Sequence, residues 1–163
     1  MKNHIPETRQ VTDSAGNWRK TWCGPYAVAT ICKTDYETPY QIIRKLRQKR
    51  HAKGVSMENM VSACFRLGFH GKYVKLNKRR KMQYFCKESL QKNQLYIVEV
   101  QKHVVVLDTK NWTLIDNQVT EWIEPEKSKY WGKQVKGYIS FEGDKHGIRA
   151  FLLITHSLSR SEG

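Results

Sequence analysis

A cysteine followed by a glycine–proline pair and an apolar run is the residue best suited to chemistry in this chain. Cys23 stands in the segment TWCGPYAVATI, in which residues 26–31 predict a buried helix. Cys23 would then lie at the N-terminus of that helix, where unpaired N–H groups and the helix dipole favour a thiolate. A thiolate is the nucleophilic form of cysteine. The segment alone leaves a second interpretation open, in which Cys23 is a small core residue that opens a helix.

A histidine and an aspartate about 80 residues further along could complete such a site. Residues 103–107 and 112–115 are typical of two strands of a hairpin, which would bring His103 and Asp116 together at its open end. A carboxylate beside an imidazole fixes the tautomer of the ring and favours its charged form. Either residue by itself is also common at the end of a strand. Strand register decides which side chain faces His103, so Asn117 is a reserve for the orienting role.

The remaining cysteines and histidines are weaker candidates. Cys32, Cys64 and Cys86 have no metal-ligand spacing, and we expect them to be buried apolar residues. His146 and His156 follow the hairpin, but neither has an acidic residue placed as Asp116 is placed for His103. The order cysteine, histidine, aspartate therefore predicts a nucleophile, a base and an orienting acid, with no metal.

Both segments resemble those of papain-like cysteine peptidases, nearest to the double-glycine leader peptidase domains of bacterial export transporters. WCGPYAVATI resembles the cysteine–glycine segment that opens the central helix of that family, and HVVVLDTKNWTLIDN resembles its histidine strand, turn and Asp-ending strand. Residues 54–69 resemble the intervening helix, so the resemblance covers roughly residues 17–117. It implies an α+β fold in which a helical N-terminal part packs its nucleophile helix on a C-terminal antiparallel sheet.

The resemblance also implies an activity. Cys23 would attack an amide carbonyl of a peptide or protein substrate, His103 would act as base and then acid, and no cofactor would be needed. The family places an amide side chain, usually glutamine, six residues before the cysteine, where it helps hold the oxyanion; here that position is Asn17. The backbone N–H of Cys23 would be the second donor. Trp22 and Gly24 flank the nucleophile, and we expect them to line the substrate cleft.

Positive charge is concentrated in one third of the chain. The formal net charge is +14, and residues 39–92 carry 15 Lys and Arg against two acidic residues. This asymmetry predicts a basic face for a nucleic acid or an acidic protein, although a merely solvated surface would also explain each run. It supports an alternative function, a non-catalytic binding protein on the same fold. The candidate polyanion-binding residues are Arg44, Lys45, Arg47, Lys49, Arg50, Lys78, Arg79, Arg80 and Lys81.

The length of 163 residues predicts one domain over 1–163, and 39% apolar residues can supply its core. No apolar run is long enough to span a membrane and the start has no signal-peptide pattern, so a cytoplasmic location without a membrane partner is the expectation. Helices come first and strands later. The predicted helices are 23–33, 38–52, one from the cap Ser56 to Gly68, and 80–91; the predicted strands are 72–76, followed by a basic loop, then 95–100, 103–107, 112–115, 135–141 and 148–155.

Overall fold

The computed structural model describes residues 3–7, 21–50, 52–119 and 121–141. In this part of the chain a helical region precedes an antiparallel sheet. The elements are α1 Cys23–Cys32, α2 Glu37–Arg47, α3 Met57–Arg66, β1 Gly71–Lys81, α4 Met82–Glu88, β2 Leu95–Val100, β3 His103–Asp108, β4 Thr113–Ile115 and β5 Gln134–Phe141.

The five strands form one sheet in the order β1-β5-β2-β3-β4, and every neighbouring pair is antiparallel. Helices α1, α2 and α3 cover one face, where they pack on Ile97, Val104 and Val106. Helix α4 covers the other face, against side chains that include Val98 and Val105. Because both faces are covered, β2 and β3 are apolar at successive positions instead of alternating with polar residues.

Helix α1 is the centre of the helical layer. Residues 24–32 are all buried, and the helix contacts α2, α3 and β3. A helix that is apolar on all sides belongs in such a position. Ser56 caps α3 as predicted, accepting a hydrogen bond from the N–H of Asn59 at 3.2 Å, and Gly68 follows its last turn with φ +87°. The contacts of α1 with α2, α3 and β3 hold it against the sheet.

Helix α2 is shorter than the predicted 38–52. The helix begins at Glu37, one residue before the predicted start, and the carboxylate of Asp35 accepts the N–H of Thr38 in its first turn at 2.8 Å. Gln48 has φ 51°, a left-handed conformation that ends the helix. The chain between α2 and α3 is therefore a connection, and it brings Val55 beside Gly24 at the start of α1.

Strand β1 continues through the basic run, which the sequence predicted as a loop after a strand at 72–76. Lys75 faces Gly137, whereas Arg80 faces Val135, so β1 has three more residues than β5 between these two pairs. The extra residues form an irregular bulge on an edge strand, an arrangement that discourages edge-to-edge pairing. Helix α4 consequently begins at residue 82 and not at residue 80.

The remaining strands form close to where the sequence placed them, except that residues 148–155 lie outside the described residues. The predicted α+β class, with helices first and an antiparallel sheet after them, is confirmed. In the described part of the chain, no helix has the length and apolar character needed to cross a bilayer.

Candidate active site

Cys23 is the first residue of α1, as predicted. Trp22 precedes it in an extended conformation, and the N–H of Trp22 donates to the hydroxyl of Tyr36 at 2.8 Å, which fixes the entry to the helix. The Cys23 sulfur is half-buried and hydrogen-bonds with the His103 ring and with the N–H groups of Val104 and Gly24. Burial raises the pKa of the Cys23 thiol, but these hydrogen bonds and the charge of His103 outweigh it, and the net pKa is lowered.

Gly24 lets the start of α1 approach the loop that leads into α3. A Cβ atom added at Gly24 would lie 3.0 Å from the Cβ of Val55 and 3.5 Å from the sulfur of Met60. No larger residue fits there without displacement of this contact. The glycine after Cys23 is thus explained by packing.

His103 is the first residue of β3, immediately after the tight turn between β2 and β3. It pairs with Val100, and Gln101 in the turn has φ 56°. Its Nε2 lies 2.8 Å from Oδ2 of Asp116, which leaves Nδ1 for the Cys23 sulfur. Burial by itself lowers the pKa of His103, but the hydrogen bonds with Asp116 and Cys23 raise it to about 9.

Asp116 follows β4 directly and is only 2% exposed. Its Oδ1 accepts the N–H groups of Gln118 at 3.0 Å and Val119 at 3.2 Å, so the loop after β4 is built around this carboxylate. Burial raises the pKa of Asp116, yet the hydrogen bonds from His103, Tyr130 and the Gln118 N–H lower it to about 2. Asp116 is therefore ionised whenever His103 is protonated at ordinary pH.

Tyr130 belongs to the site, although the sequence analysis did not identify it. Its hydroxyl donates to Oδ2 of Asp116 at 2.6 Å, and its ring stacks on the His103 ring with centroids 5.0 Å apart and an interplanar angle of 10°. Tyr130 lies in an irregular segment between a short 3-10 helix and β5. No motif marks such a position, because only the folded chain brings it beside His103.

Asn117, the reserve orienter, is engaged elsewhere. Its side-chain N–H donates to the carbonyl of Thr21 at 2.9 Å, while Asp116 is the residue bonded to His103. This bond ties the segment before α1 to the loop after β4, and so helps hold the two halves of the site together. Asn17, the predicted oxyanion donor, lies outside the described residues.

An open cleft of about 590 Å³ runs past Cys23 and His103. Trp22 and Gly24 both line it, on the side formed by α1 and the connection between α2 and α3. The turn between β2 and β3 forms the opposite side. A volume of this size lies within the range of ligand-binding clefts in proteins.

The predicted polyanion-binding residues do not line this cleft and lie on separate elements. Arg44 donates to Oε1 of Gln41 at 3.2 Å, Arg47 donates to the carbonyl of Lys53, and Arg80 forms an ion pair with Glu88. Exposed side chains make up the rest of both runs: Lys45, Lys49, Arg50, Lys78, Arg79 and Lys81. Binding of a polyanion at these residues stays a prediction.

The other cysteines are buried, as expected. Cys32 and Cys64 touch across α1 and α3, where their mutual hydrogen bond and burial raise the pKa of Cys64. Burial likewise raises the pKa of the Cys86 thiol to about 12. Of the described cysteines, only Cys23 is partly exposed and has a lowered pKa. No group of three metal-ligating side chains occurs within the described ranges.

Comparison with known proteins agrees with this arrangement. A search among curated proteins gives no match. The family model described as "Peptidase C39 family" matches residues 16–130, a span that contains Cys23, His103, Asp116 and Tyr130. This match confirms the resemblance to papain-like leader peptidase domains, and it implies cysteine peptidase activity. The chain belongs to the peptidase C39 family.

Proposed function

We propose that this protein cleaves peptide bonds with Cys23 as nucleophile, His103 as acid and base, and Asp116 as the group that orients His103. One observation carries the proposal: the His103 ring is hydrogen-bonded to the buried Asp116 carboxylate at 2.8 Å and is close enough to the Cys23 sulfur to lower its pKa. Tyr130 donates to that same carboxylate. A nucleophile, a base and an orienter in contact are what thiol catalysis requires.

The reactive state is a thiolate beside an imidazolium. The pKa of Cys23 is lowered and that of His103 is raised to about 9, so near neutral pH the proton resides on the ring. The thiolate attacks the carbonyl carbon of the substrate, and the imidazolium then gives its proton to the leaving amine as the C–N bond breaks. Water, activated by the neutral His103, hydrolyses the resulting thioester and restores the thiolate–imidazolium pair.

The N-terminus of α1 supports stabilisation of the oxyanion. Cys23 is in the first turn, so its N–H has no acceptor within the helix. Donors at a helix N-terminus stabilise negative charge that develops on the substrate oxygen. We assign the second donor to the side chain of Asn17, which precedes the nucleophile by six residues.

Asp116 and Tyr130 act through His103. The carboxylate holds Nε2 at 2.8 Å, and the parallel Tyr130 ring restrains rotation of the imidazole. Tyr130 and the backbone N–H groups after β4 fix Asp116 in turn. Asp116 and Tyr130 are both positioning residues, because their described side-chain hydrogen bonds go to His103, to each other and to backbone N–H groups, and not to the Cys23 sulfur.

The decisive experiment separates an activated thiol from a merely exposed one. The alkylation rate of Cys23 by iodoacetamide is measured by mass spectrometry from pH 4 to pH 10, for the native chain and for the His103→Ala variant. We expect reaction well below the free-thiol pKa of about 8.5 in the native chain, and a midpoint near that value in the variant. A native midpoint at or above the free value would overturn the proposal.

Peptidase activity is then tested with a mixed peptide library, analysed by mass spectrometry for new termini. Cys23→Ala is the negative control, and Cys86→Ala is the matched control because it removes a buried thiol on the other face of the sheet. We expect new termini with the native chain and with Cys86→Ala only. Equal products from Cys23→Ala would contradict the assignment of the nucleophile.

A further inference from the structure

Three lysine side chains converge on the cleft beside Cys23. Lys53 comes from the connection between α2 and α3, Lys102 from the turn between β2 and β3, and Lys136 from β5. Glu99 is the acidic residue among the described residues that line the cleft. The cleft therefore has an excess of positive charge that comes from three separate elements.

A β-bulge places Lys136 in the cleft. Glu99 pairs with Gly137 and Val100 with Val135, so β5 has one residue more than β2 between these pairs, and that residue is Lys136. Bulges occur preferentially beside active sites, where they redirect a side chain. Lys136 is partly buried and lines the cleft as a result of this irregularity.

The ammonium groups of these lysines are not neutralised by the described part of the chain. Neither Lys102 nor Lys136 has an ion-pair or hydrogen-bond partner there. The Lys53 ammonium lies 5.9 Å from the centre of the Trp22 ring, a cation–π contact that leaves its charge uncompensated. Glu99 accepts a hydrogen bond from the Tyr73 hydroxyl at 3.2 Å, and it forms no ion pair with any lysine among the described residues.

We propose that the cleft selects a polypeptide substrate with acidic side chains near the bond to be cleaved, which Lys53, Lys102 and Lys136 bind. This inference rests on the proposed function and adds the substrate class. Substrate carboxylates would supply the partners that the three lysines lack. A cleft lined by one sign of charge also raises the local concentration of an oppositely charged substrate.

The first test measures the potential at Cys23 and needs no peptidase activity. The rate of Cys23 alkylation by anionic iodoacetate is divided by the rate with neutral iodoacetamide, for the native chain and for Lys53→Gln/Lys102→Gln/Lys136→Gln. We expect the ratio to fall about threefold in this variant at low salt. Lys78→Gln/Lys87→Gln/Lys92→Gln is the matched control, because it removes the same charge from exposed positions outside the cleft.

We call Lys53→Gln/Lys102→Gln/Lys136→Gln the cleft variant. An unchanged ratio in the cleft variant, or an equal fall in the cleft variant and its matched control, would overturn the inference. Lys136→Gln alone is the second variant, because its side chain has no described contact with Trp22 or His103. It should lower the ratio by a smaller factor in the same direction, and it keeps the test decisive if the triple variant fails to fold. A ratio for Lys136→Gln equal to that of Lys78→Gln would also overturn the inference.

The second test uses a Glu-rich peptide and the same peptide with Gln in place of every Glu. Each is tested for cleavage and for protection of Cys23 from iodoacetamide. We expect stronger protection and a larger kcat/KM with the Glu peptide, and loss of both preferences in the cleft variant. Protection by the Glu peptide without cleavage would count against the proposed function and support the acidic cleft ligand. Cleavage without any preference would support the function and overturn the acidic substrate.

Discussion

The active-site cleft and the two basic runs differ in how their residues are held. Cys23 and His103 line the cleft, Asp116 and Tyr130 lie behind His103, and each of the four contacts at least one of the others. The basic runs lie at the end of α2 and in the far half of β1, and most of their charged groups are exposed. Their few contacts are with nearby residues, such as Arg80 with Glu88.

The comparison teaches that a high density of one residue type in the sequence is a weaker sign of a site than convergence in space. The three lysines of the cleft are scattered over the sequence at positions 53, 102 and 136, yet they line one cavity. The basic runs are adjacent in sequence but lie on α2 and β1. Variants of the cleft should therefore change the chemistry of Cys23, whereas variants of the basic runs should change polyanion binding and leave Cys23 unaffected.

The largest expected effect is the loss of the nucleophile or the base. Cys23→Ala and His103→Ala should each lower kcat/KM by about 10⁴-fold or more, because the two groups act as one unit and the second adds little once the first is gone. Thermal unfolding should be little changed in Cys23→Ala, whereas His103→Ala removes a hydrogen-bond donor from the buried Asp116 carboxylate and should lower the melting temperature. Peptide cleavage and a melting curve check both statements; a double variant with a summed loss would argue that the groups act independently.

Removal of the Asp116 carboxylate should lower activity by less than loss of Cys23 or His103, and it should also change the pH dependence of activity. His103 has a pKa raised to about 9, so activity should rise as Cys23 ionises and fall as His103 loses its proton near that value. Asp116→Asn should lower activity by about 10²-fold. It should also move the alkaline limb to lower pH, because the hydrogen bond with Asp116 is one cause of the raised pKa. The pH profile of kcat/KM measures this; an alkaline limb that stays near pH 9 would separate Asp116 from His103.

Tyr130→Phe sharpens the comparison further, because it keeps the stacked ring and removes only the hydroxyl. Loss of one hydrogen bond to a buried carboxylate should lower kcat about tenfold. The pKa of Asp116 should rise, and the alkaline limb should move slightly to higher pH, opposite to its movement in Asp116→Asn, because a carboxylate that has lost one donor is a stronger acceptor for the protonated His103. Tyr138→Phe is a matched control outside the site, since the Tyr138 ring makes a tilted contact with Phe85 and an edge contact with Tyr96. A merely structural role for Tyr130 would lower stability without moving the pH profile.

Gly24→Ala tests the close packing that seats the nucleophile. The new methyl group would approach the Val55 Cβ at 3.0 Å, so the start of α1 or the loop before α3 must shift. We expect a loss of about 1–3 kcal/mol in the free energy of unfolding, with a several-fold loss of activity. Gly132→Ala is the control, because an added Cβ there meets nothing within 4 Å. Denaturant unfolding and Cys23 alkylation measure the two effects; equal results for both glycines would remove packing as the explanation.

The smallest expected effect on chemistry comes from the basic run of β1. Lys78→Glu/Arg79→Glu should leave Cys23 alkylation unchanged, because neither residue lines the cleft and both lie in the bulge. If the run binds nucleic acid, this variant should weaken binding to duplex DNA and reduce its salt dependence by roughly one unit of slope per lost phosphate contact. Arg80 is left intact because it pairs with Glu88. Undetectable binding of polynucleotides by the native chain at low salt would reject the prediction.

Much of the fold could be predicted because its signals are local. The apolar run after Gly24-Pro25, the cap at Ser56 and the turn between residues 107 and 113 each depend on neighbours in sequence. The end of α2 and the course of β1 were predicted wrongly. There the outcome depends on the left-handed conformation of Gln48 and on pairing with β5, and neither is visible in a hydrophobic pattern.

The sequence by itself determined a cysteine at a helix N-terminus and a hairpin that carries a histidine and an acid, since short-range periodicity and turn residues specify such elements. Tertiary structure decided which residues meet. Strand register and the loop after β4 bring Asp116, and not Asn117, to His103. Packing brings Tyr130 onto the imidazole, and one unpaired residue in β5 brings Lys136 into the cleft. Contacts between distant segments depend on register, bulges and the burial of both sheet faces, which no local pattern of residues encodes.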